Sequence, residues 1–452
     1  MQTQAHRNAG GGPVETYGLT WPGKSESQRL GESATSARLV PHSPGKGGAA
    51  VAEVNLVIEG DSLDALKILR RTHAGAFGLI YIDPPYNVGT KADYRDSFHR
   101  SQAVEDRAAG VHEEPERCAA RSSAGRRHSL WLDLMYPRLR AARELLASNG
   151  VIAVSIDDAE APRLRLLLDE IYGEENFCAT IVWEKKYSPA NDCRNFSVVH
   201  DYLILYAASP AFRRNLLPRT EATNRPYRHD DADGRGLYRT SDLSVRTYSP
   251  AADYAVVNPL TGAKHFPPPG RSWGYSPQAM QRLIDEGRIY WGTDGTRAPQ
   301  LKRYLGEVQD GVVPTTLWTR DFAGHNHLAK NDIRKLFGTT AVFETPKPVR
   351  LIQRLLQVTT GKDSLVLDFF AGSGTTAHAV MRQNAEDGGN RKFVLVQLDE
   401  PINAARKPTV ASEFSTIADV TRERVRRAAA ALREEFPELD PAQTRFVELK
   451  VV

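Results

Sequence analysis

The sequence predicts an α/β fold, a mostly parallel sheet flanked by helices, with a second module inserted into it. Three observations point there. From Val54 onward, short apolar runs alternate with segments of helical periodicity. One run, Gly78 to Ile82, stops at Asp83-Pro84-Pro85-Tyr86. Another, Leu365 to Phe370, passes through Asp368 into the small-residue loop Ala371-Gly372-Ser373-Gly374.

Residues 1–50 are rich in Gly, Ser, Pro and Ala without apolar periodicity, and predict a disordered leader. The first half of the main domain, expected over 51–209, opens with an apolar run that reaches Glu59-Gly60-Asp61. A helix follows with Leu63, Leu66 and Leu69 on one face, and then the strand ending at Asp83. Residues 91–127 are polar and rich in Arg and Glu, and predict a long loop or lid. Leu132, Met135, Leu139, Ala142 and Leu146 share a helical face that Asn149-Gly150 should stop. Val151 to Ile156 reads as a buried strand, followed by a helix with Pro162 in its first turn. Thr180 to Trp183 and Tyr202 to Tyr206 read as further strands.

Over 210–337 the leucine periodicity fades and Pro, Gly, Tyr, Trp and Arg take over, which predicts a separate module. The α/β rhythm resumes in a second half, 338–452. It has a helix bearing Val349, Ile352, Leu355 and Leu356, the strand at 365–370, a helix from Thr375 and the strand Phe393 to Leu398. A charged helix (416–435) and a last strand, Phe446 to Lys450, close the pattern.

At 452 residues the chain can bury more than one core. No run is long and apolar enough to span a bilayer, and the start lacks a signal-peptide core, so a cytoplasmic location is expected. Cys118, Cys178 and Cys193 are scattered, which argues against a disulfide or zinc scaffold. A net charge of +4 does not by itself announce a nucleic-acid binder. His325-Asn326-His327 lacks a third ligand, and no metal site is expected.

Neither Pro84 nor Pro85 donates a backbone hydrogen bond, so the carbonyls of Asp83 and Pro84 are open to accept one from elsewhere. With the Asp83 carboxylate and the Tyr86 ring they suit a planar ring that carries an exocyclic amine. The alternative is a strand-to-turn junction capped by Asp83. Gly372 and Gly374 let the backbone approach a ligand closely, as in a Rossmann-like domain. Without a third glycine a nucleoside fits better than a pyrophosphate.

Together the two motifs make the chain resemble the β class of amino-group DNA methyltransferases. It is similar in particular to the modification subunits of type III restriction–modification systems. The segments His128 to Arg138, Val154 to Asp158, Lys186 to Asp192, His200-Asp201-Tyr202 and Thr345-Pro346-Lys347-Pro348 extend the likeness. The resemblance implies a class I methyltransferase fold with permuted motif order, S-adenosylmethionine as cofactor, and methylation of a flipped-out adenine N6 in double-stranded DNA. Asp83, Pro84, Pro85 and Tyr86 would be catalytic. Asp368, Phe370, Gly372 and Gly374 would hold the methionine part of the cofactor. Lys347 would pair with its carboxylate and Thr345 lie beside it, unless Thr and Pro there simply start a helix. Asp61 would reach the cofactor adenine, unless it only caps its helix. Gln397 stands where many relatives carry an acid for the ribose, with Asp399 or Glu400 as substitutes. The module at 210–337 would recognise the target sequence, through Arg228, Arg239, Arg246, Tyr248 and Trp273 amid Arg213, Arg214 and Arg225, or these arginines are solvated surface. Implied partners are a second copy and a helicase–nuclease restriction subunit; a solitary methyltransferase is the alternative. Cytosine-N4 methylation, RNA methylation and a non-catalytic specificity subunit are the competing functions.

Overall fold

The computed structural model describes residues 18–42, 54–88, 115–190, 193–339, 342–404 and 407–452. They fall into two compact units, one formed by the chain up to Asn215 together with Thr315–Val452, the other by Leu216–Pro314.

The first unit is built on ten strands: β1 (Leu39–Pro41), β2 (Asn55–Glu59), β3 (Phe77–Ile82), β4 (Leu146–Ile156), β5 (Phe177–Glu184), β6 (His200–Ala207), β7 (Leu317–Trp318), β8 (Leu365–Asp368), β9 (Lys392–Gln397) and β10 (Phe446–Val451). They form one sheet in the order β1-β10-β2-β9-β8-β3-β4-β6-β5-β7. From β10 to β4 every neighbouring pair is parallel. β6 runs antiparallel to both β4 and β5, and β1 antiparallel to β10. β2, β3 and β8 are apolar almost throughout because helices cover both faces of a parallel sheet.

Eight main helices accompany the sheet: α1 (Lys24–Glu32), α2 (Ser62–His73), α3 (Pro115–Leu145), α4 (Ala161–Tyr172), α5 (Asn326–Phe337), α6 (Val349–Thr359), α7 (Thr375–Asp387) and α8 (Ile417–Glu435). Leu63, Leu66 and Leu69 of α2 and Leu132, Met135, Leu139 and Ala142 of α3 are buried in the same core as Ile80, Ile82 and Val154. α6 buries Val349, Ile352, Leu355 and Leu356. His325 caps α5, its Nδ1 accepting from the Leu328 amide.

Several expectations are corrected. The leader is not structureless over 18–42. α1 is pinned by Asp133, which accepts from the Trp21 indole at 2.8 Å and the Ser27 hydroxyl at 2.6 Å, and β1 adds a strand to the sheet edge. Residues 1–17 and 43–50 lie outside the described residues. So does the part of the expected loop at 91–114, whereas 115–127 form the start of α3. Asn149-Gly150 does not end α3. The helix stops at Leu145, and 146–150 already belong to β4, with Leu146 opposite Phe77. A Cβ at Gly150 would lie 2.6 Å from the Phe77 carbonyl, so glycine here permits a close strand approach rather than a helix cap. The inserted unit is also narrower than 210–337. Leu317–Trp318 joins the main sheet beside β5, and α5 packs on α8.

The second unit has its own core of Leu243, Val256, Trp273, Met280, Ile289, Trp291 and Leu301 around short antiparallel ladders. Its chain ends are tied to one another by paired Leu217–Val312 backbone bonds at 2.8 and 2.9 Å.

Candidate active site

The carboxyl ends of β2, β9, β8, β3 and β4 deliver Asp61, Gln397, Asp368, Asp83 and Asp157 to one edge of the sheet, where open α/β sheets bind ligands. β3 and β8 are neighbours with Ile80 opposite Leu367, so two motifs nearly three hundred residues apart in sequence emerge side by side. Together they line one cavity of about 680 Å³, within the range of small-molecule sites. All of Asp83, Pro84, Pro85, Tyr86, Thr345, Lys347, Asp368, Phe370, Gly372, Asp61 and Gln397 contribute to its wall.

The Asp83 turn is braced from behind. The Trp131 indole of α3 donates to the Pro85 carbonyl at 2.7 Å. Asn87, which follows Tyr86, holds a left-handed backbone (φ 59°), and its amide donates to the fully buried Glu160 at 2.6 Å. His128 meets the same Glu160 oxygen at 2.5 Å. Asparagine tolerates the left-handed region better than other side chains, and a buried hydrogen-bond network fixes it there. Tyr86 is part-buried, and burial together with the nearby Asp83 charge pushes its hydroxyl far above the usual phenol range.

Lys347 is engaged with the Asp83 turn. Its ammonium donates to both oxygens of Asp83, each at 2.6 Å, and lies 5.0 Å from the Tyr86 ring centre. A tetrahedral cationic nitrogen therefore sits where Asp83 and the Tyr86 ring face the cavity. Beside it, Asp201 at the start of β6 pairs with Lys185 at the end of β5, and both line the cavity. Burial raises the Asp201 carboxyl despite the opposing Lys347 and Lys185 charges. Asp201 belongs to a segment that carried the family likeness, but its pairing with Lys185 was not foreseen, because their proximity comes from the antiparallel β5–β6 pairing.

The glycine loop forms the other wall. Gly372 (φ 52°) and Gly374 (φ 80°) are both left-handed. An added Cβ would stand 3.3 Å from the Phe343 ring at Gly372, and 3.3 Å from the Thr421 carbonyl at Gly374, which is buried beside the cavity wall. The Gly372 amide donates to Gln397 Oε1 at 2.7 Å, and the Thr421 hydroxyl donates to the Gly372 carbonyl at 2.6 Å. Asp368 is buried, accepting from the Phe370 amide at 3.1 Å and the Thr376 hydroxyl at 2.5 Å. Burial pushes its carboxyl up to about 7 even so. From behind, the fully buried Arg424 of α8 donates to Ser373 and Thr375 at 2.6 and 2.7 Å; nothing in the sequence pattern marked it.

Asp61 caps α2, accepting from the Leu63 and Asp64 amides at 2.8 and 3.2 Å. Its other oxygen takes Arg138 of α3 at 2.7 Å while still facing the cavity, so it both caps and lines.

In the second unit the expected contacts divide. Arg228 and Arg239 are exposed and line a smaller cavity of about 420 Å³ with Arg225 and His229. Arg246 and Tyr248 are also exposed. Trp273 is not a surface residue: it is buried in the unit's core, its indole donating to the Tyr254 carbonyl at 2.9 Å. Its role there is packing, and the expectation of a nucleic-acid contact is withdrawn.

Among known proteins, the chain matches the DNA methylase family over residues 77–402. The type III restriction-modification enzyme StyLTI Mod subunit of Salmonella typhimurium is 36% identical over 85% of this chain and 58% of its own length. The EcoPI Mod subunit of Escherichia phage P1 is 31% identical over 91% of this chain and 68% of its own. The type II methyltransferase M.KpnI of Klebsiella pneumoniae is 32% identical over 80% and 84%. The chain thus spans little more than half the length of the StyLTI subunit. With a match that takes in both Asp83 and the Gly372 loop, the chain belongs to the DNA methylase family.

Proposed function

We propose that this chain is a DNA adenine-N6 methyltransferase of a restriction–modification system that uses S-adenosylmethionine. One observation carries the reading: the Asp83 turn and the Gly372 loop, on neighbouring parallel strands, open into a single cavity. The residues present fit the cofactor. The left-handed Gly372 keeps its stretch of the wall free of a side chain, the buried Asp368 fixes the loop, and Asp61, Gln397 and Glu400 offer polar partners for a nucleoside. When bound, the cofactor would supply an electrophilic methyl group on a sulfonium, whose sulfur–methyl bond breaks on transfer and leaves a neutral thioether.

An adenine amine is a poor nucleophile because its lone pair is delocalised into the ring. Asp83 and the Pro84 carbonyl accept its two hydrogens, which turns the nitrogen toward tetrahedral geometry and frees the lone pair. The nitrogen gains the methyl and sheds one proton, for which the Asp83 carboxylate is the nearby acceptor. Preorganised acceptors and alignment supply the catalysis, and Tyr86 gives the base a face to lie against. The position of the Lys347 ammonium supports this, since it is a cationic, hydrogen-donating nitrogen already matched to Asp83 and Tyr86. Lys347 must yield that place to the base, and the cofactor carboxylate is the anion proposed to take it. A base inside a duplex cannot reach the cavity, so the substrate nucleotide is extruded.

Aspartate at 83 favours adenine over cytosine. The Mod-subunit likeness supports double-stranded DNA as substrate, a second copy as partner and a restriction subunit as an associate. Incubating the purified chain with unmethylated duplex DNA and labelled cofactor, then digesting to nucleosides, should yield N6-methyladenine. Recovery of N4-methylcytosine instead would move the assignment to the other amine, and absence of transfer would end it.

A further inference from the structure

The segment joining β5 to β6 carries a feature that the methyl-transfer chemistry leaves unexplained. Its two roots, Lys185 and Asp201, line the cavity, and the amides of Lys185 and Lys186 both donate to the Val199 carbonyl, at 2.8 and 3.2 Å. That neck fixes the segment at the cavity rim. Beyond it the Ala190 amide bonds the Ser197 hydroxyl at 2.7 Å, and the Phe196 ring stands 94% exposed. Phe196 is three residues from the neck, hence within about 10 Å of the rim. A lone exposed apolar side chain is ordinarily unremarkable. This one is accompanied on its own segment by exposed Lys186 and Arg194, neither of which meets a carboxylate among the described residues. The neighbouring Tyr187, 69% exposed, is held under the Arg320 guanidinium at 4.2 Å.

An apolar ring flanked by free cations matches a polyanion with an apolar interior. Extruding a nucleotide into the cavity leaves a gap of one base in the stack, and apolar wedges are what fill such gaps. We propose that Phe196 inserts into the duplex at the position vacated by the target nucleotide, with Lys186 and Arg194 against the adjoining phosphates. This inference rests on the DNA-methylation reading and names the residue that holds the base out. Phe196 is a positioning residue: it touches the stack, not the reacting atoms.

The test compares Phe196→Ala and Phe196→Trp with the unaltered protein on two duplexes containing the methylated site. In one the target adenine is paired; in the other it faces an abasic site, so that neither pairing nor a closed stack opposes extrusion. Phe196→Ala should lower kcat/KM on the paired duplex by roughly 10- to 100-fold, the scale of unpairing and unstacking one base, and by less than about threefold on the abasic-opposed duplex. Phe196→Trp should restore the paired-duplex rate. With 2-aminopurine as the target base, its fluorescence rise on binding should fall in Phe196→Ala. An equal loss on both duplexes, an unaltered rate on the paired one, or a changed oligomeric state with normal 2-aminopurine signal would overturn the wedge. If the unaltered protein methylates neither duplex, the methylation reading itself fails.

Discussion

Asp83 is the residue on which the proposed chemistry turns, and its substitution should separate binding from reaction. Asp83→Ala should cut methyl transfer by at least about 100-fold, the usual cost of losing a preorganised charge-stabilising group, while duplex affinity in a gel-shift titration stays within about twofold. A parallel loss of affinity would mean the turn holds DNA rather than activating the amine. Gly374→Ala should destabilise the fold by about 1–2 kcal/mol, because an L side chain pays that cost in the left-handed region, and its Cβ also meets the Thr421 carbonyl at 3.3 Å. Chemical denaturation reads this directly. Asp368 makes a pH prediction. Its carboxyl is pushed by burial to about 7 in the folded chain against 3.8 ordinarily, so the folded chain holds a proton that the unfolded chain releases. Its contribution to stability is therefore full below about pH 4 and is lost as pH rises to about 7. Asp368→Asn should gain thermal stability relative to the unaltered chain as pH goes from 5 to 7.5; melting curves that stay parallel would refute the shift.

At the level of elements, α3 does more than cover the sheet. Trp131 holds the Pro85 carbonyl, Arg138 holds Asp61 and Asp133 holds α1. Trp131→Phe keeps an aromatic ring, though a smaller one, and strands the Pro85 carbonyl, a cost of about 1–3 kcal/mol, and should lower kcat more than it raises the KM for cofactor. Equal changes in the two constants would indicate a packing role only. The strands and helices that place Asp83 and Asp368 were legible in the sequence because a buried parallel strand is an unbroken apolar run and a covering helix repeats every three to four residues. α1 and β1 were not, since α1 buries only Ser27 and Gly31 and is held largely by polar contacts, to Asp133 and Glu170 among others, and β1 is a three-residue edge strand; neither leaves periodicity. The end of α3 was misplaced for a related reason. Asn149-Gly150 is as good a helix stop as a strand residue, and only the approach of Phe77 decides between them. The Lys185–Asp201 pair was equally invisible, being created by strand pairing across the Phe196 segment.

Across the whole molecule, the site depends on topology more than on sequence proximity. β3 and β8 meet at the centre of the sheet although one precedes the inserted unit and the other follows it. Trp273 shows the limit of composition as a guide: an aromatic in an Arg-rich module looks like a nucleic-acid contact, yet that module needs a core of its own and Trp273 supplies it. The paired bonds between Leu217 and Val312 have a consequence for how such proteins change over time. Because the two ends of the inserted unit are fastened to each other, the sheet has only to accommodate a short closed neck, whatever the neck carries. Replacing 217–312 with a brief glycine-rich turn should leave a chain that still melts cooperatively and still binds S-adenosylhomocysteine, but no longer holds duplex DNA at its target. Selection can then exchange one inserted unit for another while the sheet and the cavity at its edge are inherited intact.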